Sequence, residues 1–182
     1  MRVISGSSRG TRLKTLESNS VRPTSDRVKE AMFSAIQFDI EGKRVLDGFA
    51  GSGALGIEAL SRGAKSCHFF DSDFKAVSVI RENLEKTGLS DKAQIERRDF
   101  FVFFSAASKT VFDLIFLDPP YGRGLILKAL NQLAACRALS DCAIIICESG
   151  ANEELPRLCE GFGIDREYIY GTTKVTIYRG ED

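Results

Sequence analysis

The stretch Asp47-Gly48-Phe49-Ala50-Gly51-Ser52-Gly53-Ala54-Leu55-Gly56 decides the fold. It follows a short apolar run, Arg44-Val45-Leu46, and opens a segment that ends at Gly63. The pattern is a buried strand, a glycine turn and a helix. Glycines let a backbone turn tightly and approach a ligand without a Cβ clash. The helix start behind them adds N–H groups with no partner inside the helix. Gly51, Gly53 and Gly56 satisfy GxGxxG, the dinucleotide fingerprint. A turn that merely joins strand to helix accounts for the same glycines.

Outward from this turn the chain alternates. Strands are predicted at KSCHFFD (65–71), AQIER (93–97), FDLIFLD (112–118) and CAIIICES (142–149). Helices are predicted at FKAVSVIRENLEKTG (74–88), LILKALNQLAA (125–135) and NEELPRLCEGF (152–162), the last interrupted near Pro156. REYIYG and TKVTIYR, separated by a Gly-Thr turn, read as an antiparallel hairpin. Upstream, TSDRVKEAMFSAI (24–36) places Val28, Ala31, Met32, Ala35 and Ile36 on one helical stripe. Repeated strand–helix units imply a parallel α/β sheet with helices on both faces. Ligands bind such sheets beyond the carboxyl ends of the strands.

Those ends carry carboxylates. Asp47 precedes the glycines, where a pyrophosphate would be repelled and a cationic ligand favoured. S-adenosylmethionine, with its ammonium and sulfonium, suits that position better than NAD. Asp71 lies 20 residues beyond Gly51, the spacing for a carboxylate on ribose hydroxyls. A solvated strand-end carboxylate has the same sequence. Asp99-Phe100 ends the third strand, suited to an adenine amino group and ring; capping of a helix by Asp99 reads equally well.

Asp118-Pro119-Pro120-Tyr121 ends the fourth strand and is the most specific feature. Two prolines remove two N–H donors and stiffen the loop. A carboxylate beside free carbonyls accepts both protons of an NH₂ group, and Tyr121 offers a face to a flat base. Such acceptors aim the lone pair of a delocalised amine at an electrophile.

The 182 residues are about one domain's worth. Hydrophobic residues at 43% and charged residues at 27% exclude a disordered or collagen-like chain. No apolar run is long enough for a membrane span and MRVISGSSRG lacks a signal-peptide core, so a cytoplasmic protein is expected. Net charge is zero, but residues 1–30 carry seven basic side chains (Arg2, Arg9, Arg12, Lys14, Arg22, Arg27, Lys29) against three acidic ones. This basic segment is either a phosphate-contacting surface or a solvated terminus. The five cysteines form no CxxC pair and read as buried thiols rather than a metal or disulfide framework. His68, the one histidine, falls inside a strand and reads as structural.

With Asp47–Gly56 and Asp118–Tyr121 together, the chain resembles the class I S-adenosylmethionine-dependent methyltransferases, in their exocyclic-amine branch. Arg2-Val3-Ile4-Ser5-Gly6, Arg9-Gly10 and Arg22-Pro23-Thr24-Ser25-Asp26-Arg27-Val28-Lys29-Glu30 narrow this. They resemble the signature of the bacterial 16S rRNA guanine-N2 methyltransferase family of RsmD type. The resemblance spans essentially the whole chain. It implies a Rossmann-like, seven-stranded, mostly parallel sheet with an antiparallel last strand. The domains would be a basic arm over 1–23 and a single methyltransferase domain over 24–182.

It also implies methylation of N2 on guanine 966 of 16S rRNA, within the small ribosomal subunit or its assembly intermediate. S-adenosylmethionine would be the methyl source and S-adenosylhomocysteine the product, with no metal and a monomeric enzyme. Asp47, Gly48, Gly51 and Gly53 would form the cofactor loop and Asp71 the ribose contact. Asp99 and Phe100 would meet the adenine, and Asp118, Pro119, Pro120 and Tyr121 the target base. Arg2, Arg9, Arg12, Lys14 and Arg22 would contact RNA, with Arg22 and Thr24 near the active-site mouth. Many family members have Glu at Asp71; aspartate is one methylene shorter, so Asp73 would share the ribose role. Ser5 and Thr11 also depart from the family pattern. Rival readings are a DNA amino-methylase, which lacks room for a recognition domain, an NAD oxidoreductase, which leaves Asp47 and Asp118–Tyr121 unexplained, and a non-enzymatic ribosome-assembly factor.

Overall fold

Apolar residues on both faces of a strand force it into the middle of a layered structure. A computed structural model shows this for residues 1–16, 26–104, 110–159 and 161–180, which are the residues described. Strands β1 (Arg44–Asp47), β2 (Ser66–Phe70), β3 (Ala93–Glu96), β4 (Phe112–Leu117) and β5 (Leu139–Gly150) run parallel. Strands β6 (Leu158–Cys159), β7 (Phe162–Tyr170) and β8 (Thr173–Gly180) complete one sheet in the order β3-β2-β1-β4-β5-β8-β7-β6. β8 lies antiparallel between β5 and β7. The expected seven strands are present, and the two-residue β6 extends the β7 edge.

Strand alternation divides the core in two. Val45, Phe69, Leu114, Phe116, Ile144 and Ile146 face helices α1 (Asp26–Ala35), α2 (Ala54–Ser61) and α3 (Phe74–Thr87). Leu46, Phe70, Ile115, Leu117, Ile145 and Cys147 face α4 (Phe100–Phe103) and α5 (Leu125–Ala135). The chain leaves β1 toward β2 on one side and pairs with β4 on the other. That reversal of strand order is the switch point at which α/β sheets bind ligands.

The helix predicted at 152–162 is absent. Residues 153–156 are irregular and β6 pairs antiparallel with β7, through Leu158↔Gly163 and Cys159↔Phe162. Pro156 lacks an N–H and disfavours helical backbone at Leu155. Its carbonyl instead accepts the Tyr178 hydroxyl at 2.7 Å. Cys67, Cys136 and Cys147 are buried and outside any disulfide, whereas Cys142 is exposed.

Residues 1–16 are not a solvated terminus. They fold back on themselves through the Arg2↔Arg12 bridge and the Val3 N–H to Thr11 carbonyl bond of 2.9 Å. Val3 and Leu13 are buried in the core beside α1 and α2. Glu58 of α2 anchors the segment: its carboxylate accepts the N–H groups of Ile4 (2.8 Å) and Ser5 (3.0 Å). Lys29 is fully buried, 3.2 Å from Glu58, and donates to the Arg2 carbonyl at 2.6 Å. It therefore belongs to the interior rather than to a basic surface. No helix among the described residues is long and apolar enough to cross a membrane.

Candidate functional site

The glycine turn leaves β1 at the centre of the sheet. Asp47 is 2% exposed, and its Oδ2 accepts the Gly56 N–H at 2.9 Å, closing the turn onto α2. Burial pushes the Asp47 carboxyl up to about 7, and the charge of Asp71 adds to the rise. Gly53 takes φ 77°, a left-handed conformation that starts α2 with no side-chain cap. A Cβ on Gly48 would meet the Phe100 ring at 3.0 Å and Leu117 at 3.1 Å. A Cβ on Gly56 would lie 2.3 Å from Phe69. Gly48 and Gly56 are therefore fixed by packing, whereas a Cβ on Gly51 would meet nothing within 4 Å.

Asp71, at the end of β2, reaches across to this turn. Its Oδ2 accepts the Gly51 N–H at 2.9 Å and its Oδ1 the Asp73 N–H at 2.8 Å. Burial holds its carboxyl above the usual range. Asp73 is exposed and caps α3, accepting the Lys75 N–H at 2.8 Å. Asp99 caps α4 through Phe101 and Val102. Phe100 is 3% exposed, with its ring stacked on Phe49 at 5.3 Å. It forms the floor beneath the turn, and the partly exposed rings beside it are Phe49 and Phe101.

Asp118, Pro119, Pro120 and Tyr121 follow β4, whose Phe116 is in register with Asp47. The Asp118–Tyr121 loop thus emerges next to the glycine turn. Asp118 is partly buried, Pro119 buried and Pro120 exposed. Tyr121 is 40% exposed, and its hydroxyl donates to Glu148 Oε1 at 2.6 Å. Burial and the Glu148 carboxylate hold that phenol well above its ordinary value. An open groove of about 570 Å³ begins at Tyr121, lined by Gly150, Asn152, Glu153, Gly171 and Thr172 among others. Among the described residues no cluster of His, Cys, Asp or Glu is arranged to hold a metal.

Arg2, Arg9, Arg12 and Lys14 are exposed on the folded N-terminal segment, with Lys14 paired to Glu82 at 2.6 Å. Arg22 and Thr24 lie outside the described residues. Two residues not singled out from the sequence join these parts. Buried Asn83 of α3 accepts the Lys14 N–H and donates to the carbonyls of Lys14 (2.9 Å) and Ser52 (2.9 Å). It ties the basic segment to the glycine turn. Glu148, 4% exposed at the end of β5, holds Tyr121. The signal for Glu148 is present in the sequence: like Asp47, Asp71 and Asp118, it is a carboxylate ending an apolar strand.

The donor set fits a nucleoside ligand with a cationic end. Asp47 and Asp71 stand near one turn with both carboxyls raised by burial, a situation that a nearby cation relieves and a pyrophosphate worsens.

A family model described as conserved hypothetical protein 95 matches residues 1–179. The chain is 43% identical over 181 residues to YlbH of Bacillus subtilis (strain 168), a candidate rRNA methyltransferase, covering 98% of each. It is 34% identical over 181 residues to ribosomal RNA small subunit methyltransferase D of Escherichia coli (strain K12), covering 100% of this chain and 90% of that one. Among solved structures, the candidate methyltransferase yhhF of Escherichia coli superposes with a TM-score of 0.89 at 33% identity. That match covers 100% of this chain and 98% of the other.

Proposed function

Because this chain belongs to the conserved hypothetical protein 95 family, the RsmD-type rRNA methyltransferases, we propose a specific reaction for it. It methylates the exocyclic N2 amine of one guanine, guanine 966, in 16S rRNA of the small subunit, using S-adenosylmethionine. The observation that carries this reading is the placement of Asp118–Tyr121 beside the Asp47–Gly56 turn, at the switch point of the sheet. The small-subunit rRNA methyltransferase relatives support the substrate class.

In this reading Asp47, Gly48, Gly51, Gly53 and Asp71 hold the methyl donor, with Phe100 supporting the floor. Asp73 and Asp99 act through the helix caps that bound the pocket. S-adenosylmethionine supplies an electrophilic methyl: the amine lone pair forms the new N–C bond as the C–S bond breaks, leaving S-adenosylhomocysteine, and one amine proton departs to solvent. The Asp118 carboxylate and the Pro119 carbonyl accept the two amine hydrogens and direct the lone pair. Pro120 stiffens the loop. Tyr121 stacks on the base, which leaves its surroundings at a cost of a few kcal/mol, least for an unpaired nucleotide. Arg2, Arg9, Arg12, Lys14 and Arg22 contribute phosphate contacts.

The test uses methyl-labelled S-adenosylmethionine with small subunits lacking native methylation, followed by nucleoside mass analysis. The expected product is N2-methylguanosine at one site. Label in N6-methyladenosine or N4-methylcytidine would overturn the choice of base. Asp118→Ala is expected to abolish labelling while cofactor binding persists.

A further inference from the structure

Glu148 is a carboxylate buried in the sheet beside a loop that already holds one acidic residue. Taking a carboxylate out of water is costly, so its retention calls for a compensating interaction. The structure supplies one in the Tyr121 hydroxyl, at 2.6 Å, a length typical of an O–H donor bonded to an ionised acceptor. Thr173 Oγ1 stands 3.4 Å from the same hydroxyl. The two partners reach Tyr121 from different strands: Glu148 lies two residues before the end of β5 and Thr173 begins β8. A Cβ added at Gly150 would lie 3.7 Å from the Tyr121 ring, so the ring edge passes near that glycine. The hydroxyl at the tip of the ring is thus held by two strands of the sheet, while Tyr121 as a whole stays 40% exposed on the loop.

We propose that Glu148 is a positioning residue for methyl transfer: bonded to the Tyr121 hydroxyl, it fixes the plane of the ring that meets the target base and keeps negative charge on the amine side of the site. This rests on the reading of Asp118–Tyr121 as the amine-holding loop. Positive charge develops on the amine nitrogen as the N–C bond forms. Preorganised negative charge near that nitrogen stabilises the transition state more than the ground state. A phenol donating to a carboxylate also carries part of its negative charge into the ring, which strengthens the face offered to the base.

The variants are Glu148→Gln, Tyr121→Phe and the double variant. Glutamine keeps the size and an acceptor oxygen but removes the charge, so folding is preserved; a thermal melt checks this. Turnover of Glu148→Gln is expected to fall about tenfold or more, with the RNA KM changed less than about threefold. The double variant is expected to lose no more than the worse single one, because both act through one bond. A second readout needs no activity. In protein with ring-labelled tyrosine, Glu148→Gln should lower the midpoint at which the Tyr121 resonance titrates.

Unchanged turnover in Glu148→Gln, multiplicative losses in the double variant, or an unmoved Tyr121 midpoint would each overturn the proposal. A wild-type product other than N2-methylguanosine would overturn the choice of guanine alone. The effect of Glu148→Gln on that product would still decide the role of Glu148.

Discussion

The carboxylate of Asp71 bridges two backbone N–H groups, that of Gly51 in the glycine turn and that of Asp73 at the start of α3. One side chain therefore ties the glycine turn to the start of α3. Asp71→Ala should weaken S-adenosylmethionine binding by roughly 10- to 100-fold, from the loss of about 1.5–3 kcal/mol per hydrogen bond to a charged group. Isothermal titration calorimetry on the folded variant reads this directly. An unchanged Kd would remove Asp71 from the ligand site.

Asp47 should make stability depend on pH. Its carboxyl sits at about 7 in the folded protein because it is buried, whereas an unfolded chain releases the proton near 4. A raised folded value means the contribution is fully present below about pH 4 and is lost as pH rises through about 7. The full swing is about 4 kcal/mol. Urea unfolding of Asp47→Asn beside the parent, between pH 4.5 and 8, should show this fall removed. A cationic ligand favours the ionised carboxylate, so cofactor affinity should climb with pH to about 7 and then level. Asp47→Asn should lack that climb.

Glu58 binds Lys29, Arg62 and two backbone N–H groups of the N-terminal segment. Removing one partner of a buried ion pair leaves a charge stranded, at a cost of about 3–5 kcal/mol. Glu58→Ala should lower Tm by about 6–20 °C at the slope expected for this chain length. Amide exchange at Ile4 and Ser5 should rise with it. A melt within 2 °C of the parent, on the order of 1 kcal/mol or less, would show that the cluster is not holding the segment.

The glycines of one motif should respond differently. In Gly56→Ala the new Cβ collides with Phe69 and Cys67, an overpacking that costs about 1–3 kcal/mol. Gly51→Ala meets open space but must hold φ 54°, at about 1–2 kcal/mol. Cofactor affinity should fall more than stability for Gly51→Ala, and stability more than affinity for Gly56→Ala. Paired melts and titrations on the two variants separate these effects.

The sequence made the sheet legible because its central strands are apolar on both faces and its turns are marked by glycine. The strand-end carboxylates followed from position alone. The segment over 152–162 misled because Leu155, Leu158 and Phe162 repeat at helical spacing, while Pro156 and pairing with β7 decide otherwise. The docking of the first 16 residues was hidden for another reason. Ile4 and Ser5 meet Glu58 across more than 50 positions, and local pattern carries no record of so distant a partner. The bond between Glu148 and Tyr121, 27 positions apart, escaped in the same way, although Tyr121 itself was legible.

β8 lies inside the sheet, though its residues follow every other strand among the described residues. Until residues 173–180 have been synthesised, β5 presents an open edge on the side away from β4 and Glu148 lacks its β8 partner Val175. The Thr173 end of the Tyr121 anchor is made last as well. A nascent chain therefore cannot complete the anchor of Tyr121 before β8 has been made.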